Sequence, residues 1–174
     1  PDEVLLQNVA QGLVRFDPAG NIVAGLAERW NVSDDGLSYI FRIASTQWPD
    51  GRKITADQVA RLLKREIGSR SRNSLKDSLG AIDDIVAMTD RVIEIRLAAP
   101  RPNLLSLLAQ PQLAILRSGL GTGPFKSAPD GDALRLTREI ASVDEQATRE
   151  EVLLGGAPAG AAIAAFATAK SDLV

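Results

Sequence analysis

Two residue types are missing altogether. With no cysteine among its 174 residues, the chain forms no disulfide and no thiolate metal site. With no histidine it has no imidazole for acid–base catalysis or metal ligation, which excludes Ser-His-Asp and Cys-His nucleophile schemes within this chain. A carboxylate-only cation site or a pair of catalytic carboxylates survives these exclusions. Aromatic residues are scarce at 4%, so a core has to rest on Leu, Ile, Val and Ala. Neither sign of charge dominates. Twenty basic against 22 acidic side chains leave a net charge of −2, which is no footprint for a polyanion, and nucleic acid is not an expected partner. No run approaches the ~20 apolar residues that span a bilayer. The nearest, residues 157–169, is short and interrupted by Pro158 and Gly160. The chain opens at Pro1 and its only methionine is Met88, so an export signal is expected to have been removed with the start.

What is present is ordinary globular material, 45% hydrophobic and 24% charged. Residues 2–12 carry apolar positions at helical spacing, and residues 13–16 read as a strand. Asp17-Pro18-Ala19-Gly20-Asn21 is a turn, and Ile22 and Val23 start the return strand. Residues 25–30 read as a short helical turn or loop. Residues 31–33 and 37–43 look like two strands joined by Asp34-Asp35-Gly36, with Leu37, Tyr39, Phe41 and Ile43 on one face. After a turn at Trp48-Pro49-Asp50-Gly51, Thr55 is placed to N-cap a helix with Val59, Leu62, Leu63 and Ile67 on one side. A polar loop over residues 68–74 ends it. Alternation predicts a strand over residues 92–97, followed by a short apolar helix over 104–109, a short buried strand over 113–116 and a strand over 134–137. Residues 159–169 have the composition of a helix with Ala164, Phe166 and Ala167 inside, and Asp172-Leu173-Val174 would begin a further strand. The expected fold class is α+β, or mixed α/β, with hairpins and few long helices.

Each conspicuous motif has a plain reading. Asp34-Asp35-Gly36 lacks the further oxygen ligands of a calcium loop and reads as a hairpin turn. Adjacent Asp83 and Asp84 point apart in either regular structure, so they read as a solvated turn and not a catalytic pair. Gly119-Leu120-Gly121-Thr122-Gly123-Pro124 lacks the Lys-Ser/Thr ending of a phosphate cradle and leads into a strand. Arg61, Lys64 and Arg65, with Arg70 and Arg72, read as a solvated helix face, an acidic partner being the alternative. Trp30 and Trp48 read as packing residues. No cofactor site and no metal site emerges.

The order of these features is more specific than any one of them. Gly25-Leu26-Ala27-Glu28-Arg29-Trp30, Val32-Ser33-Asp34-Asp35-Gly36-Leu37-Ser38-Tyr39 and Phe41-Arg42-Ile43 follow in register, and Trp48-Pro49-Asp50-Gly51 precedes Ile54-Thr55-Ala56-Asp57-Gln58-Val59. With Gly121-Thr122-Gly123-Pro124-Phe125 farther on, the chain resembles family 5 of the extracellular solute-binding proteins, the peptide/nickel-type capture subunits of ABC importers. The sequence departs from the family pattern at Ala24, at Ala44 and Ser45, and between Lys126 and Glu150, where an expected aromatic pair is absent.

The resemblance implies a protein of two lobes closing over a solute, no enzymatic activity, and a periplasmic or extracytoplasmic location. The chain would form one partial unit, most of the first lobe. Residues 13–110 would include the small subdomain, and residues 111–174 the return to the lobe and the approach to the hinge. The family's first strand would lie upstream of Pro1. The implied partners are a small solute (peptide, opine, oligosaccharide or metal chelate) and membrane permease subunits. The implied solute contacts are Glu3, Gln7, Gln112, Ala114, Ile115 and Arg117. Arg117 would neutralise an anionic solute, a solvated surface arginine being the alternative. Half a cleft implies weak solute binding by the chain alone, and a cut apolar surface implies self-association. An interaction or sensor module, or a degenerate paralogue built on the same lobe, is the functional alternative.

Overall fold

The computed structural model describes residues 2–140 and 148–172, with side chains from Leu5 onward. The chain divides into two units, Pro1–Lys126 and Ser127–Val174. Of Asp172-Leu173-Val174, expected to begin a strand, Asp172 lies in a bend, and Leu173 and Val174 lie outside the described residues.

The first unit is built on a four-stranded antiparallel sheet. Its strands are β3 (Ala27–Val32), β4 (Ser38–Ile43), β5 (Ile82–Thr89) and β6 (Val92–Leu97), in the spatial order β3-β4-β6-β5. Period-two alternation puts two apolar rows across one face. Val32, Tyr39, Ile95 and Ile85 pair in one row, and Trp30, Phe41, Ile93 and Ala87 in the next. Phe41, Ile93 and Ile95 are fully buried. A one-residue slip would turn both rows to solvent, so this burial specifies the register. The expected Asp-Gly turn joins β3 to β4, with Gly36 at φ +68 and the Ser33 hydroxyl donating to Asp35 at 2.6 Å.

The helix α2 (Ala56–Ile67) packs against β5 and β6 and buries Ala56, Val59, Ala60 and Leu63. It starts at Thr55 as expected, through a capping box in which Thr55 and Gln58 each satisfy the other's backbone amide. The ribbon of β1 (Val14–Phe16) and β2 (Ile22–Ala24) and the short helix α3 (Leu104–Leu108) complete this core, with α3 set against β1. The helix α1 (Asp2–Val9) lies beside the 3-10 turn Pro111–Leu113.

The second unit contains a three-stranded sheet of β7 (Lys126–Asp130), β8 (Ala133–Ile140) and β9 (Thr148–Gly155), then α4 (Ala159–Ala167). Strands β8 and β9 pair antiparallel over eight positions.

Four expectations need correction. Residues 25–30 are mostly strand, because β4 offers β3 a complete partner and Glu28 pairs with Arg42 at 2.8 Å and Arg91 at 3.2 Å. Asp83 and Asp84 lie in β5, not in a turn, since Ile82 and Ile85 flank them and Asp84 sits opposite Arg96. Residues 113–116 do not form a strand: Pro111 opens a 3-10 turn, the Ala114 amide turns back to the Pro111 carbonyl at 3.0 Å, and the Ile115 amide donates to the Gln11 carbonyl at 3.0 Å without starting a ladder. Ala164, Phe166 and Ala167 are exposed. The sequence of α4 is apolar all round, so no stripe specifies an inner face, and the helix buries none of its residues.

Candidate functional site

The segment from Pro111 to Phe125 is held against the C-terminal end of α1. The amides of Gly123 and Phe125 donate to the carbonyls of Val9 and Asn8, each at 3.0 Å, and the Gln11 side chain donates to the carbonyl and hydroxyl of Thr122, both at 3.1 Å. This approach requires glycine. A Cβ on Gly121 would stand 2.4 Å from the Val9 carbonyl oxygen, and one on Gly123 2.4 Å from that of Asn8. The glycine-rich run is therefore a packing device, as its lack of a phosphate-cradle ending implied.

Between this segment, α1 and α2 lies a cleft of ≈ 200 Å³. Leu6 of α1 and Leu62 and Leu63 of α2 form one side, and Gln112, Ala114, Ile115 and Leu116 the other. Arg65 and Glu66 of α2 also line it, and they line a second, shallower bowl of ≈ 460 Å³ as well. That bowl is formed by the loop after α2, with Ser69, Arg70, Ser71 and Arg72 around it. Both depressions are lined by Arg65 and Glu66, the cleft otherwise mainly by aliphatic side chains and the bowl by basic and hydroxyl ones.

The basic residues of this region divide by what they touch. Arg61 pairs with Asp57, Lys64 with Asp84 at 2.7 Å, and Arg65 with Glu66 at 3.4 Å. The Lys64 ammonium, ahead of the Ile85 amide, holds the Asp84 carboxyl below the usual carboxylate range. Arg70 and Arg72 have no acidic partner among the described residues. Their loop is nevertheless pinned. Lys76 donates to the Ser69 carbonyl at 2.7 Å, the Ser71 amide donates to the Gly68 carbonyl at 2.9 Å, and Asn73 Nδ2 donates to the Gln112 carbonyl at 2.6 Å. Much of the cost of ordering this loop around a ligand is therefore already met.

Of the six residues proposed as solute contacts, Gln112, Ala114 and Ile115 come together in the cleft. Gln7 is exposed on α1 beside Leu6, and Glu3 lies on α1 with its side chain outside the described part. Arg117 does not line the cleft. Its guanidinium is ion-paired with Asp50 and stands 5.1 Å from the centroid of the Trp48 ring, with the side chain only 21% exposed. Desolvation raises the Asp50 pKa, but the Arg52 amide and the Arg117 guanidinium outweigh it and hold the carboxyl below its ordinary value. Neither the solvated-arginine reading nor an open anion-binding group describes Arg117. The residues the sequence reading missed are Leu6, Leu62, Arg65, Arg70, Arg72 and Asn73. The basic run was visible, but its neighbourhood with Gln112, 39 positions from Asn73, has no local signature.

Among the described residues no three or more His, Cys, Asp or Glu side chains gather to hold a metal ion, and no helix is long and apolar enough to cross a membrane. The site offers shape, apolar contact and positive charge.

The sequence profile of the bacterial extracellular solute-binding proteins, family 5 (middle), matches residues 21–139. The probable deoxycholate-binding periplasmic protein YgiS of Escherichia coli (strain K12) is 28% identical over an alignment of 127 residues, covering 63% of this chain and 24% of the relative. The dipeptide-binding protein of Lactococcus lactis subsp. cremoris (strain MG1363) is 30% identical over 120, covering 60% and 22%. The periplasmic binding protein AgaA of A. tumefaciens R10, solved with agropinic acid, superposes with a TM-score of 0.83 at 22% identity over 98% of this chain and 38% of its own. The chain thus spans less than a quarter of these curated relatives, all of which are named as binding proteins. Its fold is part of a two-lobed periplasmic binding protein. With the profile matching well over half its length, the chain belongs to the family 5 bacterial extracellular solute-binding proteins.

Proposed function

We propose that the intact protein is the solute-capture subunit of an ABC importer, working outside the cytoplasm and delivering its solute to membrane permease subunits. In this reading the 174 residues form most of the first lobe, and closure against a second lobe traps the solute. The observation that carries it is the match to the family profile over residues 21–139, in a fold that superposes along 98% of this chain on a solute-loaded binding protein.

The site narrows the class of solute. Leu6, Leu62, Ile115 and Leu116 suit an aliphatic or ring-bearing part, while Arg70 and Arg72, free of acidic partners, suit an anionic group. A small carboxylate-bearing solute with an apolar portion meets both demands, as a peptide C-terminus, an opine or a bile acid does. Glu3, Gln7, Gln112, Ala114 and Ile115 remain the proposed contacts on this lobe. Arg70 and Arg72 take over the neutralising role first given to Arg117, which Asp50 already occupies.

A thermal-shift screen of the intact protein tests this reading against dipeptides, agropinic acid, deoxycholate, neutral oligosaccharides and metal chelates. A solute at 100 times its dissociation constant adds about 2.7 kcal/mol of apparent stability. The expected result is a shift with a carboxylate-bearing solute that weakens when Arg72 is changed to Ala. A response to neutral oligosaccharides alone refutes the anionic assignment. A flat result with well-folded protein refutes solute capture within these classes and favours an interaction or sensor module.

A further inference from the structure

The two walls of the cleft are far apart in sequence, α2 on one side and residues 112–116 on the other. Polar ties join them at positions flanking this stretch. At Gln112, the backbone carbonyl accepts from Asn73, whose Nδ2 also lies 3.5 Å from Glu66 of α2. At the far end stands Arg117, and its contacts lead back to α2 through Trp48 and Gln58. The guanidinium pairs with Asp50 and stacks on Trp48. The Trp48 indole donates to Gln58 Oε1 at 3.1 Å. Gln58 in turn belongs to the capping box that starts α2.

The backbone at Arg117 shows what this tie restrains. Arg117 and Leu120 exchange both amide bonds, at 2.9 and 3.0 Å, across a two-residue turn. Ser118 sits at φ +51 and Gly119 at φ +79. A non-glycine residue in the left-handed region is unfavourable and persists where its surroundings hold it. The turn also leads directly into the Gly121–Gly123 contact with α1.

We propose, resting on the reading of the cleft as part of the solute site, that Arg117 is a positioning residue. Through Asp50 and Trp48 it fixes the wall formed by residues 112–116 against α2 and so sets the width of the cleft, without touching solute. A direct contact and a positioning role make opposite forecasts for Asp50→Asn. Asparagine keeps an oxygen for the Arg52 amide, which Asp50 now accepts at 3.2 Å, but removes the charge that holds Arg117. If Arg117 met the solute, this change would release it and leave or strengthen binding. If Arg117 positions the wall, the change reproduces its loss.

The test is amide hydrogen exchange on the intact protein, wild type against Arg117→Ala, Arg117→Lys and Asp50→Asn, with the same solute screen run on each. The amides of Ile115, Arg117 and Leu120 are expected to exchange about fivefold to tenfold faster in Arg117→Ala and Asp50→Asn, the scale of a stacked and ion-paired guanidinium at a partly exposed site. Lysine is expected to fall between, since it keeps the charge and loses the planar stack. Amides of β4 and β6 serve as the unchanged reference. Unaltered exchange in Asp50→Asn overturns the proposal. So does Arg117→Ala weakening the response to a carboxylate-bearing solute while Asp50→Asn does not. Faster exchange in both variants with an unchanged solute response leaves the tie standing and sinks the reading of the cleft as a solute site.

Discussion

The two units solve the problem of apolar surface differently. In the first, every strand and helix around the four-stranded sheet turns an apolar face to the same core, and all the buried hydrophobic residues of the described chain except Leu136 belong to this unit. In the second, Ile140, Leu153, Leu154, Ile163 and Phe166 are all exposed, from 42% to 61%. What joins β8 to β9 is a full backbone ladder and a row of opposite charges. Arg135 pairs with Glu151 and with Asp130, and Arg138 with Glu150. Such exposed pairs each contribute little, about 0–1 kcal/mol, though they favour one register over its neighbours. Pattern alone can specify a hairpin's register, but a core needs partners that face one another.

The sharpest way to break this comparison is at the centre of the first core. Phe41 is fully buried between Trp30 on β3 and Ile93 on β6. Phe41→Ala is expected to cost about 3–5 kcal/mol, the usual range for emptying a buried aromatic site. Urea unfolding followed by tryptophan fluorescence reads it cleanly, because both tryptophans, Trp30 and Trp48, lie in the first unit. A loss below about 1 kcal/mol would mean that the sheet is not the centre of this unit's stability.

Acid should weaken the same unit by smaller, distributed steps. Besides Asp50, four of its carboxylates titrate below their ordinary range. The Asn21 side chain and amide do this to Asp17, the Ser33 hydroxyl and Leu37 amide to Asp35, Lys64 to Asp84, and Arg96 with Ser38 to Glu94. A carboxyl whose folded pKa is depressed contributes stability above its unfolded pKa, and that contribution disappears as pH falls through the folded value. The urea midpoint is therefore expected to hold steady from neutral pH to about pH 5 and to decline progressively below about pH 4.5. A midpoint that rises on acidification over this window would show that these carboxylates destabilise the fold.

The elements legible in the sequence were those whose signal is local. Alternation in β4 and β6, the Asp-Gly turn, and Thr55 ahead of the apolar stripe of α2 all declare themselves within a few residues. The motif order exposed the family as well, since turns and strands recur at fixed spacing. What stayed hidden depends on partners distant in the chain. β3 becomes a strand because β4 pairs with it, although Glu28 and Arg29 break its apolar alternation. Three of the first four residues of β9, Thr148 to Glu151, are charged, and it became a strand only against β8. Of the six contacts implied by the resemblance, Gln112, Ala114 and Ile115 line one cleft. Arg117 was expected to neutralise an anionic solute, and nothing near it in sequence reveals its pairing with Asp50, 67 positions away.

The smallest expected effect is the one that most sharpens the contrast. Phe166 on α4 is 54% exposed, and no residue of that helix is buried. Phe166→Ala removes little buried area, and alanine is the better helix former. Unfolding of the 174-residue chain followed by far-ultraviolet circular dichroism should therefore move by no more than about 0.5 kcal/mol, as for other surface positions. The same substitution in the intact protein is the informative partner experiment. If it is neutral there too, the apolar face of α4 stays open to solvent in the working protein. If it costs 2 kcal/mol or more only there, on the scale of a buried aromatic, then the exposed residues of the second unit are an unfinished core whose other half lies outside these 174 residues. The difference between the two units would then be one of completeness and not of kind.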